Sequence, residues 1–213
     1  EDDYEEWRPF FSKIFANESA DFIDFALLKG IKDFENGLIN SKEEALARSY
    51  LLKEGYSKFV MLCGLSGSGK STWAAKFDPE QWIIISLDQL RLEIAGHESS
   101  QKVNGLVLQE AQELLKKALA AKKNIIWDAT NLRKELRAKV LDLAERYGAF
   151  TEILYFARSS EDSCKGNESR KRQVTDAVLA RQLDRIQIPE IHEAHRLRII
   201  GSEGQELFDS LRT

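Results

Sequence analysis

The sequence predicts an α/β protein, with a five-stranded parallel sheet flanked by helices and a helical extension at the amino-terminal end. Two observations predict this fold class. From Lys58 onward, short apolar runs alternate with segments of helical periodicity, which is typical of βαβ units. Before that point, apolar residues recur at near-helical spacing. We therefore expect a helical extension over residues 1–56 and an α/β domain over residues 57–213.

The extension contains a helix start that is visible in the sequence. Ser41 followed by Glu44 has the form of a capping box, and an apolar helical face continues from there until Gly55. The segment has no catalytic pattern. A docking or linker role is one interpretation, but the sequence favours helical packing onto the α/β domain.

Five apolar runs in the larger domain have the length and composition of buried strands. They are Lys58–Cys63, Trp82–Ser86, Asn124–Asp128, Phe150–Phe156 and Arg196–Ile200. Three segments with apolar helical faces follow these strands, at residues 107–119, 132–147 and 174–189, and we expect Pro189 to end the last one.

Composition excludes several classes of protein. The 213 residues are 43% hydrophobic and carry a net charge of −4, which argues against nucleic-acid binding through bulk positive charge but does not exclude a local basic groove. No stretch approaches the roughly 18 apolar residues that cross a bilayer, and Glu1-Asp2-Asp3 lacks the basic start of a secretory signal. Cys63 and Cys164 have neither disulfide-framework nor zinc spacing. We expect a cytoplasmic protein with reduced thiols and no membrane partner.

The strongest motif follows the first predicted strand. Gly64-Leu65-Ser66-Gly67-Ser68-Gly69-Lys70-Ser71-Thr72 has the spacing G-x-x-x-x-G-K-[ST] of a P-loop, between a strand and a helix as that motif requires. Its glycines let backbone N–H groups surround a phosphate, Lys70 neutralises the outer phosphates, and Ser71 can hold Mg²⁺. The motif predicts binding of ATP or GTP, and it leaves the acceptor open.

Two aspartates stand where predicted strands end. Asp88 follows the second strand and Asp128 closes the third. The carboxyl ends of parallel strands face the ligand crevice, so both side chains are expected near the phosphates. One is expected to act as a general base and the other as a metal or supporting ligand. Spacing alone leaves the two assignments open.

Three motifs together resemble the 5′-hydroxyl polynucleotide kinase domains of phage and bacterial nucleic-acid repair enzymes, within the P-loop kinase superfamily. The motifs are the P-loop through Trp73, then Ser86-Leu87-Asp88-Gln89-Leu90-Arg91, then Asp128-Ala129-Thr130-Asn131. Their order and spacing match across about residues 58–200. The resemblance implies a P-loop kinase fold and transfer of phosphate from ATP, with Mg²⁺, to the 5′-OH end of RNA or DNA.

The resemblance also implies roles for individual residues. Asp88 corresponds to the general base for the 5′-OH, and Arg91 to the arginine that contacts the phosphate after the terminal nucleoside. Asp128, Thr130 and Asn131 correspond to the lining of the acceptor pocket. Independently of the resemblance, Asn131 has the character of an N-cap for the helix that follows.

One motif departs from the family pattern. The family's lid has the form R-N-x-x-R, whereas this chain has Gly166-Asn167-Glu168-Ser169-Arg170. Arg170 is expected to stabilise transition-state charge, a role that can be worth ~10³ to 10⁵ in rate. At the glycine, either Lys165 substitutes imperfectly or activity is lowered, and in the second case Gly166→Arg is expected to raise it.

Two other function classes stay open. A small-metabolite kinase of the adenylylsulfate, sugar or antibiotic type shares this scaffold, although Arg91 three residues after Asp88 favours a polynucleotide acceptor. A non-enzymatic ATP-binding module of a repair protein is the second, in view of Gly166. The chain does not begin with Met, so ligase or phosphatase domains in a larger parent are expected. Arg133, Lys134 and Arg137 are expected to form either a polynucleotide groove or a solvated helix face.

Overall fold

The computed structural model describes residues 2–95, 103–168 and 174–211. The chain divides into two compact units, Glu1–Tyr56 and Ser57–Thr213. Each unit has a hydrophobic core of its own residues.

The first unit is helical, with α1 at Asp2–Ile14, α2 at Ala20–Glu35, α3 at Lys42–Ser49 and a 3₁₀ turn at Tyr50–Glu54. Its core is largely aromatic, since Trp7, Phe11, Phe15 and Phe22 are all buried. The first three recur at four-residue spacing, which places them on one helical face. Ser41 caps α3, since its Oγ accepts from Glu44 N at 3.2 Å. The Glu44 carboxylate accepts from Asn40 N at 3.0 Å, one residue before the position used in a standard capping box.

The second unit contains a mostly parallel sheet. All five predicted strands form with the predicted bounds: β1 Lys58–Cys63, β2 Trp82–Ser86, β3 Asn124–Asp128, β4 Phe150–Phe156 and β5 Arg196–Ile200. The predicted number of strands is wrong, because β6, Glu206–Asp209, pairs antiparallel with β5. Its four residues are too few to show a strand period. The order is β2-β3-β1-β4-β5-β6, which puts β1 inside the sheet.

Six helices accompany these strands in the described part of the second unit. They are α4 Lys70–Ala74, α5 Leu87–Ala95, α6 Asn104–Ala120, α7 Lys134–Arg146, α8 Ser160–Glu168 and α9 Asp176–Leu183. In residues 2–95, 103–168 and 174–211, no helix has the length and apolar character to cross a membrane.

Two helix boundaries differ from the prediction. The last helix ends at Leu183 rather than near Pro189, because Gln187 N bonds the Leu132 carbonyl instead of a helical one, at 2.8 Å. Asn131 is not the N-cap of α7, which is Arg133. The Asn131 amide instead donates to the Leu62 carbonyl at 2.6 Å.

The sheet separates two apolar layers. One joins β1, β3 and β4 to α6 and α7, and the other lies on the opposite face against α4. Because β1, β2, β3, β4 and β5 are parallel, their carboxyl ends meet at one edge. The segments that follow β1, β2, β3 and β4 carry most of the candidate site residues to that edge.

Candidate functional site

The P-loop runs from β1 into α4. Gly69 precedes the helix with φ +92°, a conformation that side chains disfavour. Lys70 is 7% exposed, and its Nζ donates to the carbonyls of Gly64 (2.9 Å) and Leu65 (2.6 Å). These bonds fix the ammonium group within the loop, where it lines the cavity described next.

A cavity of about 700 Å³ opens beside this loop, a size suited to a nucleotide. Most of the predicted site residues line it: Ser66, Gly67, Gly69, Lys70, Ser71, Thr72, Asp88, Arg91, Asp128 and Thr130. Among the predicted residues that the structure describes, three do not line it. Ser68 is fully buried, and Asn131 lines a neighbouring groove. Gly64 lies against β4, where a Cβ would approach the Phe156 carbonyl to 3.1 Å. The geometry therefore gathers the three motifs at one site.

Ser71 and Asp128 are joined across the sheet edge. The Ser71 hydroxyl donates to Asp128 Oδ2 at 2.9 Å, and Asp128 is buried. A hydroxyl beside a carboxylate offers the hard oxygen ligands that Mg²⁺ prefers, and Mg²⁺ is usually shared between one or two carboxylates and substrate phosphates. In the described ranges, no larger cluster of His, Cys, Asp or Glu could hold a metal by itself. The pair thus fits a metal shared with a nucleotide.

Asp88 and Arg91 form a second pair, on the first turn of α5. Arg91 Nη1 lies 2.5 Å from Asp88 Oδ1, and Arg91 Nε donates to Asn104 Oδ1 at 3.1 Å. The Asp88 side chain is 60% exposed, whereas that of Arg91 is 18% exposed. The carboxylate therefore faces the open part of the cavity while the guanidinium is held in place.

Arg137 differs from its predicted surface or groove position, since it is fully buried. Its Nε and Nη2 donate to Glu193 at 2.7 and 2.8 Å, and its Nη1 donates to the carbonyls of Asn131 (3.0 Å) and Gln187 (2.8 Å). A planar fork of five donors suits such a site. Arg137 therefore joins the loop after β3 to the segment after α9.

Two further residues contact the P-loop that the sequence motifs do not include. The Gln182 amide, on α9, accepts from Ser66 N and donates to Ser66 Oγ, both at 2.9 Å. Arg158 lies two residues after β4, lines the cavity and approaches Gly69. Arg158 could have been found from the sequence, because it follows the carboxyl end of a parallel strand, as Asp88 and Asp128 do. No local sequence pattern indicates Gln182.

The lid motif is described only in part. Arg170 lies outside the described residues. Gly166 lines the cavity, and a Cβ there would collide with the carbonyl oxygen of Gly67. A side chain at position 166 therefore has no space in this arrangement, because the P-loop backbone occupies it, and the effect of Gly166→Arg on activity stays a prediction.

Cys63 is a core thiol, as the sequence predicts. Burial raises its pKa to about 11, and its Sγ lies 3.3 Å from the Asn131 carbonyl. A thiol with this pKa is almost entirely protonated at neutral pH, which makes a nucleophilic role unsuitable.

A second groove adjoins the cavity. It encloses about 430 Å³ and shares Leu87, Ala129 and Thr130 with the cavity. Its further lining combines apolar residues with three arginines: Asn131, Leu132, Arg133, Leu136, Val178, Arg181, Gln182 and Arg185. We call this the arginine groove.

A P-loop on an interior parallel strand, with a hydroxyl–carboxylate pair and a second carboxylate at the same sheet edge, defines a P-loop kinase fold. The family described as an AAA domain matches residues 59–189, well over half of the chain. The chain belongs to this family of P-loop kinase domains. No curated protein matches it.

Solved structures share the fold at low sequence identity. A chain of the chromosomal PezAT toxin-antitoxin system of Streptococcus pneumoniae is 20% identical, with TM-score 0.56 and coverage of 80% of this chain and 81% of that one. Kti12 of Chaetomium thermophilum, in complex with ADP-AlF3, is 18% identical, with TM-score 0.52 and coverage of 67% and 88%. A chain of the Pnkp1/Rnl/Hen1 RNA repair complex is 21% identical, with TM-score 0.55 and coverage of 61% and 44%. This protein thus spans less than half of that repair chain.

Proposed function

We propose that the protein transfers the γ-phosphate of ATP to the 5′-OH end of RNA or DNA. The observation that carries the proposal is the arginine groove, which shares Leu87, Ala129 and Thr130 with the cavity that Asp88 and Arg91 line. An acceptor that is a small metabolite would need contacts only at the transfer site. A strand needs further contacts to its phosphates and bases, and guanidinium groups beside apolar side chains supply both.

The two aspartates take different roles in this proposal. Asp128 belongs to the nucleotide side because it is bonded to Ser71 of the P-loop. Asp88 faces the open cavity and accepts the proton of the attacking 5′-OH. Arg91 is held beside it to meet the phosphate that follows the terminal nucleoside, while Thr130 and the Asn131 loop form the wall of the acceptor side.

The nucleotide side uses the P-loop. Lys70 meets the outer phosphates, and Ser71 with Asp128 would hold Mg²⁺, which supplies charge neutralisation when bound. Phosphoryl transfer depends on positioning and on charge stabilisation more than on covalent chemistry, and these residues contribute to both on the donor side. The same proposal places the protein in the cytoplasm and includes ligase or phosphatase domains in a larger parent chain.

Labelled ATP and Mg²⁺, incubated with a panel of acceptors, test the proposal. The panel contains 5′-OH RNA and DNA oligonucleotides, nucleoside 3′-monophosphates, free nucleosides, adenylylsulfate and sugars. We expect oligonucleotides to be labelled. Free nucleosides should be labelled at least roughly ten-fold less, because they lack the phosphate that bonds Arg91 and a charge-assisted hydrogen bond is worth ~1.5–3 kcal/mol. Lys70→Ala should abolish all labelling. Labelling of a sugar or adenylylsulfate, without any oligonucleotide, contradicts the proposal.

The arginine groove has its own test within the same assay. Arg181→Gln and Arg185→Gln should raise KM for a long oligonucleotide more than KM for a nucleoside 3′-monophosphate, because only the long acceptor reaches the groove. Arg146→Gln, at the exposed end of α7 and outside both cavities, is the matched control. An equal effect on both acceptors would mean that the groove does not bind the strand.

A further inference from the structure

The P-loop and α8 meet backbone to backbone. A Cβ on Gly166 would collide with the carbonyl oxygen of Gly67, and a Cβ on Gly67 would collide with the carbonyl oxygen of Ser163 and lie 2.7 Å from Asn167 N. Gly67 also has φ +83°, which other residues rarely adopt. Two glycines are therefore needed for this approach, and position 166 has no space for an arginine directed at the phosphates.

A different arginine reaches the P-loop from the end of β4. Arg158 Nη2 lies 3.4 Å, and its Cζ 3.7 Å, from the point that a Cβ on Gly69 would occupy. Since Gly69 has no side chain, the guanidinium lies directly against the loop backbone beside Lys70. It also lines the same cavity as Lys70, Ser71 and Thr72.

Arg158 has an unused donor at this position. Within the part of the chain that the structure describes, its Nε is buried and has no hydrogen-bond partner. Leaving a buried donor unsatisfied lowers stability, so such groups in native proteins call for an explanation. A phosphate oxygen is a suitable acceptor, because the guanidinium presents its donors in a planar fork that matches phosphate geometry.

We propose that Arg158 binds the phosphates of ATP, and that it supplies from the end of β4 the guanidinium that position 166 cannot supply from α8. This inference rests on the proposed role of the P-loop as the ATP site of a kinase. It is independent of the acceptor. The close Gly67–Gly166 contact and the approach of Arg158 to Gly69 are then two parts of one arrangement around the loop.

The test compares two ligands that share only phosphates. Affinities for ATP and for inorganic tripolyphosphate are measured by calorimetry on the full chain, with Arg158→Gln, Arg158→Lys and the control Arg146→Gln. We expect Arg158→Gln to weaken both ligands by a similar factor, about ten-fold or more, since charge-assisted hydrogen bonds are lost. Arg158→Lys should lose less, because it keeps the charge without the fork. Arg146→Gln should match the wild type.

Three results would overturn the inference. One is an unchanged affinity for both ligands in Arg158→Gln. Another is a loss for ATP alone, which would place Arg158 at the nucleoside instead of the phosphates. The third is an equal loss for both ligands in Arg146→Gln. If thermal unfolding shows that Arg158→Gln does not fold, the affinities of the folded Arg158→Lys variant for ATP and for tripolyphosphate are compared with those of the wild type instead. Unchanged affinities for both ligands would then overturn the inference.

The acceptor-panel assay and this binding measurement test the two proposals independently. Binding of tripolyphosphate needs no acceptor, so an absence of oligonucleotide labelling, together with the expected Arg158 result, rejects the polynucleotide proposal alone. Oligonucleotide labelling with an unaltered Arg158→Gln rejects the present inference alone.

Discussion

At the scale of single residues, the partners of the two aspartates distinguish their chemistry. Asp128 is buried and accepts from Ser71, whereas Asp88 is largely exposed and pairs with Arg91. A buried carboxylate beside a P-loop hydroxyl is suited to a cation, because oxygen ligands replace the water that the cation loses. An exposed carboxylate at the cavity mouth is suited to accept a proton from an incoming hydroxyl.

This difference predicts that conservative substitutions of the two aspartates change different kinetic properties. Asp88→Asn should lower kcat by ~10² to 10⁴, the usual contribution of a general base, with nearly unchanged ATP affinity. Asp128→Asn should raise the Mg²⁺ concentration needed for half-maximal turnover. Steady-state turnover across a Mg²⁺ titration, with ATP affinity measured separately, checks both. A shifted Mg²⁺ requirement in Asp88→Asn, with none in Asp128→Asn, would exchange the two roles.

At the scale of elements, two contacts hold the site in shape. The first is Arg137, whose guanidinium joins α7 to the loop after β3 and to the 3₁₀ turn Ile191–Glu193. Its ion pair with Glu193 is fully buried, and removing one partner of such a pair typically costs ~3–5 kcal/mol. The second contact is the approach of α8 to the P-loop through Gly166 and Gly67.

The second contact predicts the outcome of adding one methyl group. Gly166→Ala should destabilise the protein by ~1–3 kcal/mol, the usual cost of overpacking, although alanine is the better helix former by ~1 kcal/mol. Gly105→Ala is the matched control in α6, where nothing lies within 4 Å of the added Cβ, and it should be neutral or slightly stabilising. Urea unfolding of both variants checks this, and a Gly166→Ala variant as stable as the wild type would show that α8 does not pack as described.

At the scale of the whole molecule, every candidate site residue described here belongs to Ser57–Thr213. The two apolar layers around the sheet are also built entirely from residues of that unit. A unit with its own core and its own site has what it needs to fold and to bind nucleotide.

We therefore propose that residues 57–213, expressed without residues 1–56, fold cooperatively and bind ATP with the affinity of the full chain. Thermal unfolding and calorimetric titration measure the two properties, and Lys70→Ala in the same fragment is the control for specific binding. A fragment that does not unfold cooperatively, or that folds but binds ATP more weakly, would show that the first unit contributes to the second.

The sequence alone determined the five parallel strands, the P-loop and the position of the two carboxylates where strands end. These features depend on local patterns, because a strand has a short apolar run and a P-loop has fixed glycine spacing. β6 was not predicted because its four residues are too few to carry such a pattern.

Only the tertiary structure decided what each side chain contacts. Arg137 belongs to a charged run that the sequence places at a surface or in a groove, yet packing buries it against Glu193, 56 positions along the chain. Asp128 meets Ser71 across 57 positions, and Gly166 meets Gly67 across a still longer separation. No local periodicity encodes such contacts, because they depend on the order of strands in the sheet and on how closely two backbones approach.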